Sequence, residues 1–163
     1  MSVTTPSDYV GKQELAISTG NSIQLYIDRY EKKYLIKLFG CDLYNSYVLD
    51  PNAARFLFLL NELCIQDDCS EILTSNGLKD MLLGFIYYEY TPDNKIKNTV
   101  SGAIVDFNEN SRETTGVEAD IESRYNESID SYQAMQYLMK NDPITYPEYN
   151  GVQLEYSFFG GAF

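Results

Sequence analysis

Hydrophobic residues recur at helical spacing along most of the chain, and this pattern predicts five helices. The predicted helices span about residues 22–39, 42–49, 52–64, 78–90 and 116–140. In the first helix, Ile23, Ile27 and Tyr34 belong to an apolar stripe along one face. Asn21 is a suitable N-cap for it, and Gly40 follows where a left-handed C-terminal cap is expected.

The third predicted helix differs from the others because its apolar residues cover more than one face. These residues are Phe56, Leu57, Leu59, Leu60 and Leu63. The pattern therefore predicts that this helix is the central core helix. The polar stretch that follows, at about residues 66–76, is expected to hold at most a single turn at Ile72 and Leu73.

The pattern changes after the fourth helix. Thr91 and Pro92 are a turn signal that closes the helix, and residues 99–107 are rich in β-branched and aromatic side chains. We expect an extended arm or a β-hairpin there. Thr115 and Glu118 then form a capping box that predicts the start of the long last helix.

Together these elements predict a mainly α fold, with four to five helices around a central apolar helix and one extended arm or β-hairpin. An N-terminal extended arm (1–20) precedes a helical body (21–142), which carries the extended arm at about 99–110. An irregular, aromatic-rich C-terminal tail (143–163) completes the chain.

Charge and cysteine content narrow the possible functions. The chain has 12 basic and 24 acidic residues, a net charge of −12, which opposes ordinary binding to nucleic-acid phosphates. Its longest strongly apolar run, residues 56–60, is far shorter than the roughly 20 residues of a membrane span. Cys41, Cys64 and Cys69 show no paired pattern, so we expect small core or boundary residues in a reducing compartment.

Signals for catalysis, metals and cofactors are weak. The chain has no histidine, which removes the commonest general base and metal ligand, and no phosphate-binding glycine loop. Glu118 with Glu122, and Asp67 with Glu71, are the acidic pairs that a two-carboxylate hydrolase would need. We interpret both pairs as solvated surface charge, and we expect no catalytic, cofactor-binding or metal-binding residues.

Aromatic residues are the strongest positive signal, with 15 tyrosines in 163 residues. Tyrosine is enriched at protein–protein interfaces, although it also packs cores with its hydroxyl at the boundary. The extended segment and the aromatic tail are expected to dock on the body or on a neighbouring chain. The candidate interface residues are Val100, Ile104, Val105, Phe107, Tyr156, Phe158, Phe159 and Phe163.

The order of several short motifs resembles a family of small proteins of tailed phages, found among others in phages of gut Bacteroidetes. The motifs are YVG at 9–11, LYIDRYE at 25–31, LFGCDLY at 38–44, GLK at 77–79, FIYYEY at 85–90, ENS at 109–111, RYN at 124–126 and YPEY at 146–149. This family is similar to helical head–tail connector or adaptor proteins, whose rings commonly hold about twelve subunits. The resemblance covers roughly residues 9–150 and supplies no catalytic residues.

The resemblance implies a virion protein of the phage neck, assembled in the host cytoplasm. Its expected partners are copies of itself, a portal protein and a tail or second neck-ring protein, with DNA passing through the ring without specific binding. One alternative is a monomeric acidic binding module or inhibitor that mimics DNA, and the other is the two-carboxylate hydrolase.

Overall fold

The computed structural model describes residues 2–9, 23–99, 102–105 and 114–156. After a short 3₁₀ turn at Pro6–Asp8, a long helical segment begins with α1 (Ile23–Tyr26), passes through a π-helical turn (Ile27–Glu31) and continues as α2 (Lys32–Leu49). The remaining elements are α3 (Ala54–Leu59), β1 (Leu63–Gln66), β2 (Ile72–Ser75), α4 (Leu78–Lys95), β3 (Ile96–Thr99), β4 (Gly102–Val105) and α5 (Thr114–Asn141). The predicted mainly α fold is confirmed.

Gly40 divides α2 into two parts, as its position in the sequence predicted. Its φ of +76° and ψ of 170° are non-helical, so the chain kinks there. Side chains strongly disfavour this conformation, whereas glycine adopts it readily. A Cβ atom on Gly40 would also lie 2.5 Å from the carbonyl oxygen of Asn150, so the tail packs directly against the kink.

The centre of the core lies between α4 and α5, which form the most extensive helix pair among the described elements. Gly84 permits their close approach, because a Cβ atom there would lie 2.0 Å from the Ser128 hydroxyl. Ser128 is buried and donates its own hydrogen bond to the Arg124 carbonyl oxygen at 2.9 Å. The largest fully buried side chains around this pair include Phe39, Phe56, Met81, Phe85 and Tyr132.

The prediction of a central helix at residues 52–64 was wrong in extent and position. α3 covers only Ala54–Leu59, and it buries Phe56 and Leu59 while Leu57 and Phe58 stay exposed. Successive helical residues point about 100° apart, so a helix packed on one side cannot bury four consecutive apolar residues. The central position belongs to α4 instead.

The stretch predicted as a loop with a single turn is a β-hairpin. β1 pairs antiparallel with β2, with Leu63 opposite Ser75 and Gln66 opposite Ile72. The Asp67 carboxylate accepts the backbone N–H groups of Cys69 and Glu71, both at 2.8 Å, and thereby closes the connecting loop. The hairpin packs against α5. This long-range contact stabilises strands that the local sequence pattern does not predict.

Two helix boundaries also differ from the prediction. α4 continues through Pro92 to Lys95, about one and a half turns beyond the predicted end at residue 90. A proline removes one backbone hydrogen bond, but buried residues as late as Tyr90 already anchor the helix in the core. α5 begins at Thr114, so Thr115 lies within the helix rather than at its N-cap.

Candidate interaction surfaces

The predicted extended arm is a second β-hairpin. β3 pairs antiparallel with β4, which places Ile104 opposite Lys97 and Val105 opposite Ile96. Within the described residues, β3 and β4 pair only with each other. Val100 and Phe107 lie outside those residues. No other described strand pairs with the two outer edges of this hairpin, and backbone groups at such edges can pair with another chain.

The tail docks on the body of the same chain as far as it is described. The backbone N–H of Asn150 donates to the Phe39 carbonyl oxygen at 3.2 Å, and that of Val152 donates to the Lys37 carbonyl oxygen at 2.7 Å. The Tyr132 hydroxyl and the Gln136 side-chain amide both donate to the Val152 carbonyl oxygen. These bonds fasten the segment along the kinked part of α2 and onto α5.

Tyr156 lies at the end of this docked segment. Its hydroxyl donates to the Asp130 carboxylate at 2.8 Å, and this hydrogen bond, together with burial, raises the pKa of Tyr156 to about 12. Its ring stays partly exposed. Phe158, Phe159 and Phe163 fall outside the described residues. Tyr156 is therefore held against α5 of its own chain, while part of its aromatic ring stays exposed to solvent.

An apolar surface that the sequence did not predict lies on and just after α3. We call it the α3 patch: Leu57, Phe58 and Leu60, whose exposed fractions are 43%, 51% and 41%. α3 is anchored beneath it, because the Tyr146 hydroxyl donates to the Arg55 carbonyl oxygen at 3.0 Å. In addition, the Arg55 guanidinium donates a hydrogen bond to the Thr145 carbonyl oxygen at 3.0 Å. The patch is therefore a group of large apolar side chains on a firmly held support.

The N-terminal segment is held by a buried carboxylate. Glu31, at the end of the π-helical turn, is only 6% exposed. Its two oxygens accept hydrogen bonds from the backbone N–H groups of Val3 and Thr4 and from the hydroxyls of Ser2 and Thr4, at 2.8–3.0 Å. This contact holds residues 2–4 against the helical body, whereas residues 10–20 of the predicted arm (1–20) and the predicted N-cap Asn21 lie outside the described residues. The sequence identified Glu31 as part of a motif but not as an anchor.

Beside this carboxylate lies a cavity of about 340 Å³. Ile27 and Leu35 form part of its apolar surface, Tyr44 and Tyr47 contribute rings and hydroxyls, and Asp28 lies at its lining with Glu31. The lining thus includes two carboxylates, and two acidic groups in one cleft are what the hydrolase alternative requires. However, Glu31 already accepts four hydrogen bonds from its own chain, which leaves little capacity for proton transfer or attack.

Among the described side chains, the acidic residues considered from the sequence and the cysteines give no further site; the side chain of Glu118 lies outside the described part of the chain. The Asp67 carboxylate accepts the hydrogen bonds that close the β1–β2 loop. Cys41, Cys64 and Cys69 are all free and exposed, so their expected place in the core or at its boundary was wrong. Within the described ranges, no group of three or more potential metal ligands occurs. No helix in that part of the chain is long and apolar enough to span a membrane.

Comparison with known proteins gave no match: neither a family model, nor a curated protein, nor a solved structure is similar to this chain at a significant level.

Proposed function

We propose that this chain is a non-catalytic structural subunit that works by binding other protein subunits. The α3 patch carries this proposal. Solvent-exposed clusters of large apolar side chains mark protein–protein contact sites in soluble proteins. Phe58, the most exposed residue of the patch, is aromatic, and aromatic residues are enriched in such contacts.

The specific assembly that we propose is the connector ring between the head and the tail of a tailed phage. This step rests on the resemblance in motif order, which covers most of the chain. The net charge of −12 suits a ring through which DNA must pass without adhering, because like charges repel the phosphate backbone. In this role the subunit binds its own copies, a portal protein and a tail or second neck-ring protein, and it resides in the virion neck.

A catalytic role has less support from the same contacts. Asp28 and Glu31 are two carboxylates that line the same cleft. Glu31 serves there as the anchor of the N-terminal segment. Cleavage of a glycosidic bond would need one carboxyl group as acid and another as nucleophile or base. An oxygen pair already satisfied by four donors is poorly suited to either role.

The test is binding of the purified chain to phage heads that carry the portal encoded in the same genome, measured by the amount of chain that cosediments with the heads. We expect Phe58→Asp to lower binding at least tenfold. Placing a charge in an apolar contact costs well over the roughly 1.4 kcal/mol that a tenfold change represents.

Leu25→Asp is the matched control. Leu25 is also a large exposed apolar residue, but it lies on α1, outside the α3 patch. We expect this variant to bind like the unmodified chain. Equal binding of Phe58→Asp and the unmodified chain would contradict the role of the patch. No binding by any of the proteins, including the unmodified one, would contradict the connector assignment itself.

The acidic charge also favours a second candidate, a monomeric binding module that mimics DNA. Such a module would compete with duplex DNA for a basic DNA-binding protein, and this competition would weaken with added salt. A connector subunit is expected not to compete. The competition experiment therefore separates the two functions without any information on ring size.

A further inference from the structure

The cavity beside Glu31 combines features that are expected of a binding site for a cation. It lies between the first turns of the long helical segment and the part of α2 that follows the kink at Gly40. Its lining includes Glu31 from the first of these parts and Tyr47 from the second. The kink brings these two parts of the segment together around about 340 Å³ of space.

The charge of the cavity is unbalanced. Glu31 is buried, and all four of its hydrogen-bond donors belong to uncharged groups. None of the ion pairs between described residues includes it. Asp28 adds a second carboxylate to the lining, and Lys32 is the single basic residue there, which leaves one net negative charge. A buried charge without a counter-charge is costly, so a cation in this space would be stabilised.

Two tyrosine hydroxyls complete the polar part of the lining. Tyr47 is 7% exposed, and its ring is fixed by edge-on packing against Phe56 at 5.2 Å between centroids. Neither its hydroxyl nor that of Tyr44 has a hydrogen-bond partner within the described part of the chain. Burial, with the nearby charge of Glu31, raises the pKa of both tyrosines, so both hydroxyls keep their protons at neutral pH. Aromatic rings and carboxylates together favour cations.

The apolar part of the lining limits what kind of cation fits. Ile27 and Leu35 are fully or almost fully buried, and Val48 is an exposed apolar residue at the opening. A bare metal ion would gain nothing from these surfaces. An aliphatic stem that ends in a positive group would use both parts of the cavity, with the stem against the apolar residues and the head near the carboxylates.

We propose that this cavity receives an arginine side chain of a partner protein. The planar guanidinium offers five N–H donors, which can be shared between the Asp28 carboxylate and the tyrosine hydroxyls, while Glu31 contributes its negative charge. The proposal deepens the proposed function, because it names the chemistry by which a partner subunit is recognised. The net charge of −12 makes a basic partner surface the complementary one.

The experiment titrates the protein, with its tyrosine rings isotope-labelled, against the peptide acetyl-Gly-Arg-Gly-amide and follows the NMR signals of Tyr44 and Tyr47. The citrulline peptide of the same length is the control, since citrulline keeps the shape of arginine but has no charge. We expect saturable shifts with arginine and an affinity at least tenfold weaker with citrulline. Equal affinities would overturn the proposal. Putrescine that binds as tightly as the arginine peptide would also overturn it, because a small free amine would then be the fitting ligand.

Variants of the lining make the test specific. Asp28→Asn and Tyr44→Phe are each expected to weaken arginine binding at least fivefold while the far-ultraviolet circular dichroism stays unchanged. Asp42→Asn is the matched control, because Asp42 is an exposed acid on α2 outside the cavity lining. Unchanged affinity in Asp28→Asn and Tyr44→Phe would refute the site. Phe58→Asp should bind the arginine peptide normally, so failure of this site and failure of the α3 patch are distinguishable.

Discussion

Replacement of Gly40 by alanine tests how the kink and the tail depend on each other. With φ at +76° and ψ at 170°, Gly40 occupies a backbone region that costs an alanine on the order of 1–3 kcal/mol. The added methyl group would meet the Asn150 carbonyl oxygen at 2.5 Å and its carbon at 2.7 Å, so the tail must move away. The two backbone hydrogen bonds from Asn150 and Val152 would then be lost, at about 0.5–1.5 kcal/mol each.

The expected loss in the free energy of unfolding is the sum of these terms, about 2–6 kcal/mol. Urea denaturation followed by circular dichroism measures it. Asn45→Ala, at an exposed position within α2, is the control, and it is expected to be neutral or to stabilise by less than about 1 kcal/mol. A loss below about 0.5 kcal/mol for Gly40→Ala would contradict both the backbone strain and the tail contact at Gly40, because that is the range of an ordinary surface change.

A chain that ends after Glu148 separates the two contributions. In this shortened background the methyl group no longer meets Asn150, so Gly40→Ala should cost only the backbone term, about 1–3 kcal/mol. An unchanged cost in the full and shortened chains would show that the tail does not pack on the kink.

Three further variants test separate contacts. Glu31→Ala should free the first residues, so that limited proteolysis removes them much faster than from the unmodified protein; equal cleavage rates would argue against the anchor. Gly84→Val should lower the free energy of unfolding by at least about 2 kcal/mol, because the valine side chain would displace the Ser128 hydroxyl. A neutral result in urea denaturation would mean that α4 and α5 do not approach this closely. The hydrogen bond from Tyr156 to Asp130 raises the pKa of this tyrosine above its ordinary value of 10, so the tail contact should be intact below about pH 10 and be lost as the pH rises through about 12. The difference in tyrosinate absorbance between the unmodified protein and Tyr156→Phe measures this titration, and a midpoint near pH 10 would contradict the hydrogen bond.

Helices with a long, regular apolar stripe were predictable from the sequence. The kink at Gly40, the helix near residues 78–90 and the long helix that became α5 all follow from local spacing and from the conformational freedom of glycine. The β1–β2 hairpin was not predictable in this way. Each of its strands has only four residues, too few for a clear alternation of apolar and polar positions, and they are stabilised by contact with α5, which lies about 50 residues further along the chain.

The candidate surfaces were predictable only in part. The sequence directed attention to exposed aromatic and β-branched segments, and Ile104 and Val105 do lie in a hairpin. It placed Phe58 in the core, because composition shows that residues are apolar but not which of them face a neighbouring helix. The site at Glu31 depends on the fold of the N-terminal segment over the π-helical turn. No spacing rule links Ser2 or Thr4 to a residue nearly 30 positions away.

The most direct test of the proposed role is an electron-microscopy map of the tailed particles produced from the genome that encodes this chain. We expect a closed ring of this subunit between portal and tail, with the α3 patch buried against another protein chain. Absence of the chain from the particles, or a ring in which Leu57, Phe58 and Leu60 remain exposed to solvent, would contradict it.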